Sequence, residues 1–225
     1  MNFTFLGKYS QFYLQGTIIT IVLAFCAVIV GTILGLLISL LRRSKIKPLS
    51  LIATVYVEFV RGTPLLVQIY IIYIGFPKIN GLPKIMDIPM EDLIVGVIAL
   101  ALNSAAYVSE IIRAGIDAVD KGQMEAARSL GMNQNLAMFE VVIPQAFKNI
   151  LPALGNEFIS VIKESSMVSV IGVGELMYKA STVRGNTALG LEPIIVAAVI
   201  YFVITFTLTR ALGYVERRMK ASDIR

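Results

Sequence analysis

The sequence predicts an all-α integral membrane protein with five transmembrane helices, the N-terminus outside and the C-terminus inside. Three observations carry that expectation. Of 225 residues, 56% are hydrophobic and mean hydropathy is +0.77, far from the composition of a soluble domain. Charged residues make up only 16% and cluster, leaving long uncharged runs. Lysine and arginine are distributed unevenly about those runs, which sets orientation. The whole chain, 1–225, reads as a single transmembrane domain with one polar insert.

Span 1 (about 11–41) lies in the 33 uncharged residues between Lys8 and Arg42, more than the ~20 needed to cross ~30 Å of hydrocarbon. It is too long for a signal peptide and lacks a basic leader, so it is expected to remain as an anchor. Gly31 and Gly35 form a small-residue pair that permits close helix contact, within or between subunits. Residues 1–10 read as an external lead. Arg42–Lys47 and Pro48 form a turn on the inner face.

Span 2 (about 49–76) contains Arg61-Gly62-Thr63-Pro64. Pro64 has no N–H and its ring crowds the carbonyl of Val60. Thr63 is pushed toward extended geometry. The helix is expected to kink or unwind here. Irregular backbone at membrane depth is tolerated where protein or a water-filled cavity satisfies it, and such breaks mark transport sites. A purely structural kink is the other reading.

Residues 77–92, with Pro77, Gly81, Pro83, Asp87 and Pro89, read as an external loop. Span 3 (about 93–115) places Asn103, Ser104, Tyr107 and Glu110 on one face at i, i+1, i+4 and i+7. A polar stripe inside a span faces other protein or water rather than lipid. Glu110 and Arg113 are spaced to pair at i, i+3.

The insert, 116–147, is polar. Asp120 suits a helix N-cap, with Gln123 as its capping-box partner. Gly131 suits a left-handed terminus. Asn133 then caps a second helix expected to end near Pro144. Met124, Ala127, Leu130 and Met132 give the first helix an apolar edge, which wants either a partner surface or the membrane surface. Span 4 (about 150–178) begins with Pro152 and carries Lys163-Glu164-Ser165-Ser166. Residues 179–192 read as a second external loop. Span 5 (about 193–212) precedes a basic tail.

Thirteen basic residues fall on one side: Arg42, Arg43, Lys45, Lys47, Arg113, Lys121, Arg128, Lys148, Arg210, Arg217, Arg218, Lys220 and Arg225. The other side holds five: Lys8, Lys78, Lys84, Lys179 and Arg184. The 116–147 insert therefore faces the cytoplasm. The net charge of +5 is tied to span ends and signals orientation, with no nucleic-acid partner implied.

Some chemistry is excluded. The chain has no histidine and one cysteine, so Ser-His-Asp and Cys-His nucleophiles, His-ligated metals and disulfide frameworks are out. Cys26, mid-span, reads as a packing residue. No G-x4-G-K-[ST] phosphate loop is present. A membrane hydrolase is disfavoured by the missing histidine and the lack of paired aspartates. A passive channel would leave the insert without a purpose.

Four stretches resemble one family. Glu125-Ala126-Ala127-x3-Gly131-x9-Val141-x-Ile143-Pro144 is similar to the EAA loop of ABC importer permeases, E-A-A-x3-G-x9-I-x-L-P, with two apolar swaps. Glu58–Gln68, Asn103–Gly115 and Lys163–Leu176 resemble the signatures of the polar-amino-acid branch, the histidine/glutamine/arginine type. That resemblance implies the type I importer permease fold in a bacterial cytoplasmic membrane. It implies that Glu125, Ala126, Ala127, Leu130 and Gly131 form a coupling helix that docks on a separate ATPase, which alone binds ATP and Mg²⁺. The chain itself would hold no cofactor and no metal. A second permease subunit (homodimer or sister chain), an external solute-binding protein, membrane lipid and an amino-acid substrate are the other implied partners.

For substrate contact the candidates are Glu58, Arg61, Thr63, Gln68, Asn103, Ser104, Tyr107, Glu110, Glu164 and Ser165. A zwitterion needs acceptors for its ammonium and donors for its carboxylate. Two of these residues have a second reading: Glu58 and Arg61, at i, i+3, neutralise each other. Lys163 and Glu164 have the same option. The surplus of glutamate favours a basic amino acid; an opine or other polar solute is the alternative. Glu125 has two candidate roles, on the helix dipole of its own element or against a basic residue of the ATPase.

Overall fold

The computed structural model describes residues 3–76, 82–86 and 88–221. The architecture is all-α, with one small hairpin. Helices α1 (Leu6–Arg42), α2 (Lys47–Gly62) and α3 (Leu65–Gly75) come first. Strands β1 (Lys84–Ile85) and β2 (Ile88–Pro89) pair antiparallel. Then follow α4 (Met90–Asp117), α5 (Lys121–Ser129), α6 (Gln134–Ala137), α7 (Ile143–Glu164), α8 (Leu176–Thr187) and α9 (Glu192–Ala221). Three of these helices, α1, α4 and α9, are long and apolar enough to cross a membrane, and the bent α2–α3 pair is a fourth candidate.

Helix α4 is central, and α1 packs along its length. The contact is close because glycine sits on the seam. A Cβ on Gly31 would lie 3.0 Å from the Ser104 Cβ, and one on Gly35 only 2.7 Å from the Val108 Cβ and 2.9 Å from the Ala105 carbonyl. The Gly31/Gly35 pair thus serves packing within the chain. Gly35→Leu is expected to force α1 off α4 and cost about 1–3 kcal/mol or more, read as a lower unfolding temperature of the purified protein. An unchanged melting curve would mean that the seam is softer than its distances indicate.

The core joins α1, α3, α4, α7 and the turn after α7 through Leu23, Ile69, Leu100, Ile162 and Val168. Helix α9 leaves most of its apolar residues outward, as a lipid- or subunit-facing helix does.

The expected break at Thr63–Pro64 is present: Thr63 is extended, and α2 and α3 meet at 114°. Several other expectations are corrected. Helix α1 begins at Leu6, well inside the expected lead. The external loop after α3 includes the β1–β2 hairpin; residues 77–81 and Asp87 lie outside the described residues.

The second helix of the insert does not end near Pro144. It passes from α6 through a five-residue π turn, Met138–Val142, directly into α7. Pro144 sits at the first turn of α7. The wide π turn lies where the proline ring would crowd the Glu140 carbonyl, so the helix widens instead of stopping. Pro152 lies inside α7, which runs on as a 3₁₀ turn to Ile171.

Residues 179–187, read as loop, are the body of α8. Glu175 N-caps α8, accepting from the amides of Met177 (2.8 Å) and Tyr178 (2.7 Å). Ala180 and Val183 of α8 are buried with Phe5, Tyr13 and Ala197, so α8 locks the start of α1 to α9.

Candidate functional site

The break between α2 and α3 sets the geometry of the polar face. Without an N–H on Pro64, the Val60 carbonyl loses its helical partner. The Gln68 side chain takes its place. Its Nε2 donates to the Val60 carbonyl (2.8 Å) and lies within reach of the Thr63 carbonyl (3.1 Å) and Thr63 Oγ1 (2.9 Å). Asn103 Nδ2 donates in turn to Gln68 Oε1 (3.0 Å). Both Gln68 and Asn103 are buried. Three of the expected substrate contacts, Thr63, Gln68 and Asn103, therefore join as a brace between the broken helix and α4.

A second group forms one step along α4. Glu110 pairs with Arg42 of α1, with Arg113 (2.8 Å) and with Arg61 (3.5 Å). The Arg61 guanidinium also lies over the Tyr107 ring, 5.7 Å from its centroid. The expected Glu110–Arg113 pair is present. The Glu58–Arg61 pair is absent among the described residues: Arg61 turns to Glu110, and Glu58 is exposed.

The third group joins α4 to α7. Ser104 is fully buried, and its hydroxyl donates to Glu157 Oε1 (2.8 Å). Glu164 is half-buried seven residues on, so both carboxylates lie on one side of α7. Ser165 is buried and its hydroxyl is spent on the Ile162 carbonyl (2.8 Å). No Lys163–Glu164 ion pair forms among the described residues, and Lys163 is exposed.

Sequence reasoning assigned no role to Glu157 or Glu175. The signal was present in both, a carboxylate inside an apolar run. Glu157 meets the polar face of α4. Glu175 is fully buried; besides capping α8 it accepts from the Tyr201 hydroxyl (2.7 Å), tying α8 to α9.

The insert makes a separate, outward site. Asp120 caps α5, accepting from the Gly122 amide (2.7 Å). The capping box with Gln123 does not close: the Gln123 side-chain carbonyl receives Gln145 Nε2 (3.3 Å) instead, so its reach is spent on α7. At the other end the Met132 amide donates to the Ala127 carbonyl (3.2 Å) and the Gly131 amide to the Arg128 carbonyl (3.1 Å). That is the paired-bond Schellman terminus, and Gly131 holds φ +88°. Asn133 caps α6 by accepting from the Leu136 amide (2.9 Å).

The apolar edge of α5 divides. Ala127 is buried, with Met124 and Met132 half-buried, while Leu130 is 83% exposed. Glu125, Ala126 and Leu130 all face outward. Glu125 sits in the second turn of α5, past the reach of the N-terminal dipole, and makes no side-chain bond or ion pair among the described residues. Phe139, 67% exposed, adds a further apolar group from the adjoining π turn.

Comparison with known proteins gives the family and the fold. Residues 27–221 match the family described as "Binding-protein-dependent transport system inner membrane component". The arginine transport system permease protein ArtQ of Bacillus subtilis is 44% identical over 99% of this chain and 100% of its own. A putative glutamine permease, GlnP of Rickettsia bellii, is 41% identical over 98% and 100%. The L-cystine permease TcyB of B. subtilis is 43% identical over 91% and 85%. A crystal structure of an amino acid ABC transporter with histidines superposes with a TM-score of 0.87 at 51% identity, covering 97% of this chain and 100% of that one. The inward-facing MetNI methionine transporter shares the fold, with a TM-score of 0.73 at 17% identity over 94% and 98%. With a family match across most of its length and a polar, outward α5 beside apolar helices, this chain belongs to the inner-membrane permease components of binding-protein-dependent transport systems.

Proposed function

We propose that this chain is the permease subunit of an ATP-driven importer for polar, basic amino acids, working by alternating access. The observation that carries the coupling half of this reading is the outward face of α5. Glu125, Ala126 and Leu130 face outward, Glu125 without a side-chain partner among the described residues, and Gly131 fixes the angle at which they are presented. Residues 116–147 then form the docking element for a separate ATPase, and Glu125 pairs with a basic group on that subunit. ATP and Mg²⁺ reside there. Five spans, N-terminus outside, put the loop in the cytoplasm: α1, the bent α2–α3 pair, α4, α7 with its 3₁₀ extension, and α9. A second permease subunit closes the pathway, and an external solute-binding protein delivers substrate.

Substrate chemistry rests on the carboxylates left over once the internal pairs are counted. Glu110 is held by arginines; Glu58, Glu157 and Glu164 are not. Together with the half-open face of Tyr107 they favour a cationic side chain, in line with the arginine permease among the relatives. The glutamine and cystine permeases support another polar amino acid as the alternative, and an opine is the more distant one. Co-purification with the ATPase, followed by ATPase assays with a panel of liganded binding proteins, tests both halves. Stimulation by arginine-, lysine- or histidine-loaded protein is expected. Stimulation by an opine-loaded protein alone, or by no amino-acid-loaded protein, sinks the substrate reading.

A further inference from the structure

Where α1 ends, α2 begins and α4 passes, six side chains line a cavity of about 180 Å³: Ser39, Arg42, Arg43, Thr54, Ser109 and Arg113. Three are cations and three are hydroxyls. The local charge does not cancel. Among the described residues the three lining arginines pair with two carboxylates, Glu110 and Asp117, a positive excess of one, and Arg61 adds a further cation on Glu110 from outside the cavity.

Ser109 is the second, independent observation. It is fully buried, and its Oγ has no hydrogen-bond partner among the described residues. Several helical hydroxyls in this chain back-bond to the carbonyl four residues earlier: Thr17 to Tyr13, Thr54 to Ser50, Thr205 to Tyr201, Thr209 to Thr205. Ser109 does not use that option, although burying an unpaired hydroxyl is costly. A donor lining a cavity beside three guanidinium groups is arranged for an oxyanion, and arginine forks match phosphate geometry.

We infer that this cavity binds a phosphate group, holding the ends of α1, α2 and α4 together. The ligand chemistry is a phosphate monoanion or dianion, from either a lipid headgroup or free inorganic phosphate. Arg43 and Arg113 form its half-exposed mouth, and Ser109 with Ser39 its floor.

The test uses the full chain, purified in neutral detergent with the subunits that accompany it. Native mass spectrometry counts retained phosphatidylglycerol against a phosphate-free diacyl glycolipid, and calorimetry titrates inorganic phosphate against chloride at equal ionic strength. Ser109→Ala and Arg43→Gln are compared with wild type. A lost hydrogen bond to a charged group corresponds to about a tenfold weaker dissociation constant or more. Phosphatidylglycerol retention that drops in both variants, with no phosphate heat, assigns the site to a lipid headgroup. Phosphate binding that drops in both assigns it to the free ion. No preference for either anion, or binding that both variants leave intact, overturns the inference. Ser109→Ala removes an unpaired buried hydroxyl, so its unfolding temperature without phosphate is expected to hold or rise, which separates lost binding from lost folding.

Discussion

Gly131→Val is expected to abolish ATP-driven uptake while leaving membrane insertion and subunit assembly in place. Gly131 holds φ +88°, and nothing among the described residues lies within 4 Å of the position its Cβ would take. The cost is therefore one of backbone alone. A β-branched residue in the left-handed region is strained by about 1–2 kcal/mol or more. The least costly relief is to rotate Gly131 out of that region. This breaks the Met132–Ala127 and Gly131–Arg128 bonds that turn the chain from α5 into α6. Helix α5 then loses its fixed angle, and Leu130 and Glu125 no longer present one face. Uptake into proteoliposomes is expected to fall at least tenfold while ATP hydrolysis persists without coupling. Gly131→Asn is the control, because asparagine tolerates the left-handed region and is expected to retain most uptake. Full uptake by the valine variant would end the coupling role of this turn.

The insert was legible because its signals are local. A cap, a glycine and a second cap lie within fourteen residues, 120–133, and each forms the bonds its chemistry allows. The break at Pro64 was legible for the same reason, since proline acts on the carbonyl four residues back. What was hidden depends on distant partners. Helix α8 contains Lys179, Thr182, Arg184 and Asn186 and reads as loop, yet Glu175 caps it and α1 covers it. The close approach shows at Gly16, where a Cβ would lie 2.9 Å from the Leu176 Cα. The continuity of α6 into α7 was hidden because proline normally stops a helix, and only a π turn lets it pass. Spacing along α4 puts Asn103, Ser104, Tyr107 and Glu110 on one face. Their division into an internal brace, an arginine-bound carboxylate and a Ser104–Glu157 pair follows from which helices meet that face, and spacing along one helix does not contain that.

Gln68→Leu separates structure from substrate contact at the break. If Gln68 is the brace, its loss strands the Val60 carbonyl and the Asn103 amide in a buried place, at about 1–3 kcal/mol for each unsatisfied group. The side chains at the break then lose their reference to α4, because Asn103 Nδ2 and Gln68 Oε1 form the polar link between α3 and α4 (3.0 Å). The expected result is a lower unfolding temperature and slower uptake for every substrate tested, with substrate preference unchanged. A residue that reads the substrate behaves otherwise: its replacement changes which amino acid is taken up and leaves unfolding of the empty protein nearly untouched. Gln68→Glu sharpens the contrast. Its carboxylate keeps the acceptor for Asn103 but has no donor for the Val60 carbonyl, so it repairs only half of the brace. Partial recovery of stability by Gln68→Glu relative to Gln68→Leu supports the brace. A switch in preference toward more cationic substrates, with stability intact, would instead place Gln68 on the transport pathway.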